Sequence, residues 1–284
     1  MYFQFYGFKE PPFNLTPNSR FFFASQKHQE ALDSLLYAVD NRKGFVVITG
    51  EIGSGKTTVC RTLLNKLNKH TEVALITNTH LNSKDLLMVL LEDLEIEFQH
   101  GWTKAKLLSA LNTYLIEQMQ ENNNVVLIID EAQNLKPTVL EEVRMLSNLE
   151  TETEKLIQII LMGQPELKHK LGLPKLEQLR QRVAVYFHLS PLSFEETKEY
   201  VLHRLKVASG GDRVYFTEGA LKLVYEFSRG VPRLTNQICD SAFLTGYIDE
   251  AQTIDERVLN EVIGESPTRQ FAFENKAIAN ESVK

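Results

Sequence analysis

Apolar residues recur along this chain in two rhythms, and the change from one to the other divides it. Between residues 44 and 190, short continuous apolar runs alternate with segments of helical period. The runs are 44–50 (GFVVITG), 73–78 (VALITN), 125–130 (VVLIID), 156–162 (LIQIILM) and 183–189. The first run, ending in glycine, predicts a strand buried on both faces, and the others predict further strands of a parallel sheet. Between them, 55–67, 83–94, 103–120 and 137–149 space apolar residues three and four apart and so predict helices. In 83–94 the stripe is Leu86, Leu87, Leu90, Leu91 and Leu94, with Ser83 as the expected N-cap.

After Pro191 the strand rhythm stops. Helices are predicted over 193–208, 217–228, 232–248 and 256–263, the first opened by a capping box from Ser193 to Glu196. The fold class is therefore α/β: a five-stranded parallel sheet followed by a small all-α domain. The expected divisions are an N-terminal aromatic segment and helix (1–43) packed on the core, the α/β core (44–190), a helical lid (191–264) and a polar tail (265–284).

Composition narrows the class. The chain has 284 residues, 43% hydrophobic and 24% charged, which is globular rather than disordered. Its net charge of −6 argues against a dedicated nucleic-acid coat, although a local basic face remains compatible with it. Cys60 and Cys239 are far apart and match no metal spacing, so they read as reduced thiols of a cytosolic protein. No apolar run is long enough to span a bilayer, and the N-terminus has no signal-peptide pattern. Nine of the 26 aromatic residues fall in the first 23 positions, more apolar surface than a free segment keeps in water.

The sharpest chemical signal is Gly50-Glu51-Ile52-Gly53-Ser54-Gly55-Lys56-Thr57, followed by Thr58, which fits G-x-x-x-x-G-K-[ST] between a strand and a helix. Its glycines let consecutive backbone N–H groups surround a phosphate, and the helix N-terminus adds its dipole. Lys56 is expected to reach the β- and γ-phosphates, and the Thr57 hydroxyl to ligate Mg²⁺. A second element, the run ending in Asp130-Glu131, lifts two carboxylates to the C-terminal end of a buried strand, where α/β sheets carry ligands. Asp130 is the expected second holder of Mg²⁺, and Glu131 the general base for water. A guanine-reading N-K-x-D motif is missing, and the Asp-Glu pair favours ATP as the nucleotide.

Four further positions are candidates for coupling. Gln164 follows the fourth strand and is either a γ-phosphate contact or a surface turn before Pro165. Arg180 and Arg182 precede the last strand; one of them reaches a neighbouring subunit's ATP, or both are an exposed basic helix end. Arg233, in Gly230-Val-Pro-Arg233, opens a lid helix and either reports the γ-phosphate or makes a structural ion pair. Asn78 ends the second strand and either holds Glu131 by a hydrogen bond or is a turn asparagine.

Together these blocks resemble the AAA+ ATPases. The opening blocks of residues 1–32, with Gly44-Phe45, Asp130-Glu-Ala-Gln133, Gly163-Gln-Pro-Glu-Leu167 and Leu179-Arg-Gln-Arg182, resemble the ExeA/GspA-type secretion ATPases over residues 1–264, closest to the short MshM-like form. The resemblance implies ATP hydrolysis with Mg²⁺ in a cytoplasmic homo-oligomer. That oligomer would drive or regulate assembly of a secretion or type IV pilus-like apparatus through an inner-membrane partner. The longer members carry a membrane span and a peptidoglycan-binding domain beyond the ATPase part, and neither is expected here. It also implies that 13–17 lies near the adenine, with Phe13 and Leu15 as the wall of the base, unless they serve only packing. The competing class is a DNA-binding regulator of transposition resembling TnsC, TniB or MuB. Lys168, His169, Lys170 and Lys175 form the basic cluster that would favour it, with Glu166 and Glu177 among them.

Overall fold

A computed structural model describes residues 2–152, 154–209 and 215–265. They form two compact units, one of residues 26–190 and one joining the N-terminal segment to residues from 191 onward. The chain opens in the second of these with a short helix, α1 (Tyr2–Tyr6).

The first unit begins with α2 (Gln26–Asp40) and β1 (Phe45–Gly50), then α3 (Lys56–Lys66) and β2 (Thr71–Ile76). Two helices follow, α4 (Ser83–Asp93) and α5 (Lys104–Gln120), before β3 (Asn124–Ile129) and α6 (Pro137–Leu146). It ends with β4 (Gln158–Gly163), α7 (Pro165–Leu171), α8 (Glu177–Gln181) and β5 (Val183–Leu189). Among the described residues the sheet has five strands, all parallel, in the order β2-β3-β4-β1-β5. Both β1 and β4 are buried along their whole length, as their unbroken apolar runs require. Because β4 lies between β3 and β1, the C-terminal ends of these three strands stand side by side, with Ile129 opposite Leu161 and Thr49 opposite Gly163.

The helices cover the sheet through the stripes predicted from spacing. Leu86, Leu87, Leu90 and Leu91 of α4 are fully buried, each worth about 1.5–3 kcal/mol relative to exposure. The N-cap of α4 is Asn82 rather than Ser83. Its side chain accepts from the N–H groups of Lys84 and Asp85, and Asp85 accepts from the Asn82 N–H in return. The capping box at 193 forms as expected: the Ser193 N–H donates to Glu196 at 2.9 Å, and the Glu196 N–H to the Ser193 hydroxyl at 3.2 Å.

The second unit adds α9 (Phe194–Ser209), α10 (Glu218–Ser228), α11 (Pro232–Ile248) and α12 (Glu256–Glu265). Here the N-terminal aromatic segment finds its partners. Phe243 of α11 lies 4.7 Å from the Tyr6 ring, 5.1 Å from Phe8 and 6.0 Å from Phe13, centroid distances at which aromatic pairs attract. Polar groups tie the segment down. Arg204 of α9 donates to the Pro12 carbonyl at 2.6 Å and to the Tyr200 hydroxyl at 3.1 Å, and Tyr200 donates to Asn236 of α11 at 2.7 Å. Of the expected segment 1–43, the part up to residue 25 joins the helical unit rather than the α/β core. The apolar surface through Phe23 belongs with the helices, and α2 belongs with the sheet. The polar tail lies outside the described residues, apart from Glu265.

Candidate functional site

The loop after β1 closes on the N-terminus of α3. Gly55 stands at φ +100°, a region L side chains rarely adopt, and a Cβ there would come 2.7 Å from His28 Nε2. His28, buried on α2, lies 2.9 Å through Nε2 from the Ser54 carbonyl, so a residue outside the motif braces the loop from behind. The Ser54 hydroxyl is buried with no partner among the described residues, a donor well suited to an anion in the loop. Lys56 is buried and donates to the carbonyls of Gly50 at 2.8 Å and Glu51 at 2.9 Å. Burial pushes the Lys56 pKa below the ordinary lysine range, opposed by Glu131, Asp130, Glu51 and Glu166. Its cation therefore loses its proton at a lower pH than a free lysine, and attraction for a polyanion weakens from that point upward.

Asp130 follows directly on β3, its N–H bonded to the Ile76 carbonyl at 2.9 Å. Its two oxygens are divided. Oδ1 accepts from the Glu131 N–H at 2.9 Å, and Oδ2 accepts from the Thr57 hydroxyl at 3.1 Å. Thr57 and Asp130 are thus brought together as expected. The donor set fits Mg²⁺, which binds through one or two protein oxygens together with substrate phosphates and waters. Among the described residues no cluster of three or more His, Cys, Asp or Glu makes a metal site by itself.

Glu131 has φ +52°, a left-handed conformation costing about 1–3 kcal/mol in a non-glycine residue. Its carboxylate Oε2 accepts from Gln164 Nε2 at 3.0 Å and from Gln133 Nε2 at 2.6 Å. Gln164 is therefore a neighbour of the carboxylate, not a surface turn. Asn78 is not. β2 ends at Ile76, two residues earlier than expected, and exposed Asn78 accepts instead from the His80 N–H at 3.2 Å. The residue that reaches Glu131 from this side is buried Thr79, whose hydroxyl donates to the Glu131 backbone carbonyl at 3.3 Å.

The two arginines before β5 separate. Arg182 donates to the Ser147 carbonyl at 3.4 Å and hydroxyl at 3.2 Å, closing the C-terminus of α6. Arg180 is exposed, with one contact at 3.4 Å to the Gly172 carbonyl. The remaining candidates lie in the helical unit. Arg233 is exposed on the first turn of α11 and makes no hydrogen bond or ion pair among the described residues. Leu15 is half exposed at 52%. Phe13 is 1% exposed, its ring inside the aromatic cluster. That overturns the expectation that its side chain walls the adenine, because the ring's surface is already occupied. Both cysteines are free and buried, and burial lifts the Cys60 thiol to about 12.

Replacing Lys56 by Ala is expected to weaken ATP binding about 10- to 100-fold, the loss of charge-assisted hydrogen bonds to phosphate. Titration with a fluorescent ATP analogue measures it, and unchanged affinity would refute the assignment of the loop.

A glycine loop on β1 beside a carboxylate pair on β3, with β4 between them, is the arrangement of an α/β AAA-type core, and residues 39–171 match the AAA domain family. Its sequence kinship is with general secretion pathway protein A of Aeromonas hydrophila, 42% identical over 247 residues, or 87% of this chain and 45% of that protein. The chain thus spans about half the length of that relative. Its fold resembles the ORC2 protein of Aeropyrum pernix solved with ADPNP and ADP (TM-score 0.65, 15% identity, 88% of this chain and 72% of that one). It also resembles Cdc6p from Pyrobaculum aerophilum (TM-score 0.64, 19% identity, 83% and 67%) and the Thermotoga maritima RuvB Holliday junction branch migration motor (TM-score 0.55, 18% identity, 83% and 68%). These structural likenesses concern the fold alone.

Proposed function

We propose that this chain hydrolyses ATP and uses the cycle to drive or regulate assembly of a secretion or pilus-like envelope apparatus. The observation that carries the chemistry is the pairing of Thr57 with Asp130 at 3.1 Å beneath the loop, with the Glu131 carboxylate on the next residue. The kinship to general secretion pathway protein A supports the biological setting.

In this reading Lys56 turns from the Gly50 and Glu51 carbonyls to the β- and γ-phosphates. Thr57 and Asp130 would hold Mg²⁺, which would supply charge neutralisation on those phosphates. Glu131 takes a proton as water attacks the γ-phosphorus and the bond to the β–γ bridging oxygen breaks. Gln164 lies between that carboxylate and the β4 end, within reach of the reacting water. Arg180, exposed where Arg182 is engaged, serves a neighbouring copy's ATP in a homo-oligomer. Arg233 and Leu15 are proposed as further nucleotide contacts, for the γ-phosphate and the adenine. The chain works in the cytoplasm at the inner membrane through a protein partner; among the described residues no helix is long and apolar enough to cross a membrane.

The basic cluster gives DNA binding little support. Lys170 donates to the Gln133 carbonyl and, at 2.8 Å, to that of Leu135, and Lys168 stands 5.9 Å from the centre of the Tyr186 ring. The test is the ATPase rate of the full chain with duplex DNA and, separately, with inner-membrane vesicles carrying the secretion assembly proteins. Stimulation by the vesicles is expected. Stimulation by DNA alone would overturn the assignment in favour of a DNA-dependent ATPase.

A further inference from the structure

The Glu131 carboxylate is not held by the residues directly beside it in sequence. Gln133 Nε2 donates to its Oε2 at 2.6 Å, while Gln133 Oε1 accepts from the backbone N–H of Gln164 at 3.0 Å. Gln164 Nε2 donates to the same Glu131 oxygen at 3.0 Å. The result is a closed ring of hydrogen bonds from the 3₁₀ turn Ala132–Asn134 to the end of β4 and back to the carboxylate. The turn itself is fixed from α7, where Lys170 donates to the Gln133 and Leu135 carbonyls. Room for the ring is built into β4. A Cβ at Gly163 would come 2.7 Å from Gln133 Oε1 and 3.0 Å from Leu167 Cδ2.

We infer that Gln133 is the positioning residue for Glu131, holding Oε2 so that Oε1 is presented to the attacking water. This rests on the reading of Glu131 as the base. Two features of the side chain are needed at once: a donor for the carboxylate and an acceptor for the Gln164 N–H. The Gln133 amide supplies both, the donor from Nε2 and the acceptor from Oε1. A carboxylate at 133 would repel Glu131, and an aliphatic side chain would leave the Gln164 N–H and one face of Oε2 unpaired. Among the described residues Oε1 takes no hydrogen bond, so the clamp spends one oxygen and leaves the other. Gln133 also links the carboxylate to Gln164, so a movement of Gln164 toward a γ-phosphate would be felt at Glu131 through two bonds. Neither link uses Asn78.

The experiment measures ATP affinity and kcat for Gln133→Leu, Gly163→Ala and Glu131→Gln and for Gln133→Leu placed in the Glu131→Gln background, with thermal unfolding as the check on fold. Gln133→Leu is expected to lower kcat about 10- to 100-fold, the range found when a supporting partner of a reacting group is removed, with ATP affinity within twofold of wild type. Gly163→Ala should reproduce the kcat loss while keeping every polar group, because it displaces Gln133 Oε1. In the Glu131→Gln background Gln133→Leu should cost nothing further, a result that a general structural role would not give. Wild-type kcat in Gln133→Leu, or a loss undiminished in the Glu131→Gln background, would overturn the inference while leaving Glu131 as the base. Wild-type kcat in Glu131→Gln would instead overturn the reading of Glu131, and this inference with it.

Discussion

Glu131→Gln protein is expected to bind ATP as the wild type does and to hydrolyse it about 10²- to 10⁴-fold more slowly, the usual contribution of a general base. The amide has the size of the carboxylate, and its oxygen can still accept from Gln133 and Gln164, so the bonds at 2.6 and 3.0 Å have a partner. What it lacks is the basic lone pair and the negative charge. The phosphate-binding parts are untouched, because the bonds of Lys56 and Thr57 run to Gly50, Glu51 and Asp130. Phosphate release and nucleotide titration on one preparation separate the two effects. Hydrolysis at the wild-type rate would place the base elsewhere.

The other large effect belongs to Arg180. Arg180→Ala is expected to lower kcat by about 10³- to 10⁵-fold, the range for an arginine that stabilises charge in phosphoryl transfer. Arg182→Ala should act differently. It removes two bonds to Ser147 at the end of α6 and so costs roughly 1 kcal/mol of stability, seen as a lower midpoint in thermal unfolding with ATPase activity largely kept. The distinction between one chain and two comes from mixing. Arg180→Ala protein retains Glu131, and Glu131→Gln protein retains Arg180, so mixed oligomers contain intact sites made from two copies. Recovery of activity in that mixture is the expected result. Two inactive proteins that stay inactive together, in oligomers shown to have exchanged, would count against an arginine acting in trans.

The parts of this account legible in the sequence are those whose chemistry is local. An unbroken apolar run has one place to go, the middle of a parallel sheet, and β1, β3 and β4 go there. The phosphate loop is legible because glycine spacing, strand and helix are all contiguous. Asp130 and Glu131 follow from the end of a buried run. What stays hidden depends on where a side chain points after the regular element has ended. Asn78 misses Glu131 because β2 stops at Ile76 and the next residues turn outward. Gln133 stands only two residues from Glu131, but its bond to that carboxylate depends on the left-handed backbone at Glu131 and on the Gly163 cleft 30 residues later. Spacing alone cannot divide Arg180 from Arg182, since which of them caps α6 is a tertiary matter. The N-cap of α4 was within reach, because Asn82 with Asp85 three residues on fits a capping box. The aromatic N-terminus shows the limit of composition. It demands burial for the nine rings as a group, but not against which unit, and Phe243 of α11 collects four of them, Tyr2, Tyr6, Phe8 and Phe13.

The central claim is that Lys56, Thr57, Asp130 and Glu131 form one hydrolytic centre. The most direct measurement is the release of phosphate from ATP by the wild-type chain, followed past one equivalent, with Mg²⁺ present and again after chelation. The account predicts continued turnover with Mg²⁺ and arrest on chelation. Bound ATP that stays intact with Mg²⁺, or release that proceeds equally after chelation, would contradict it.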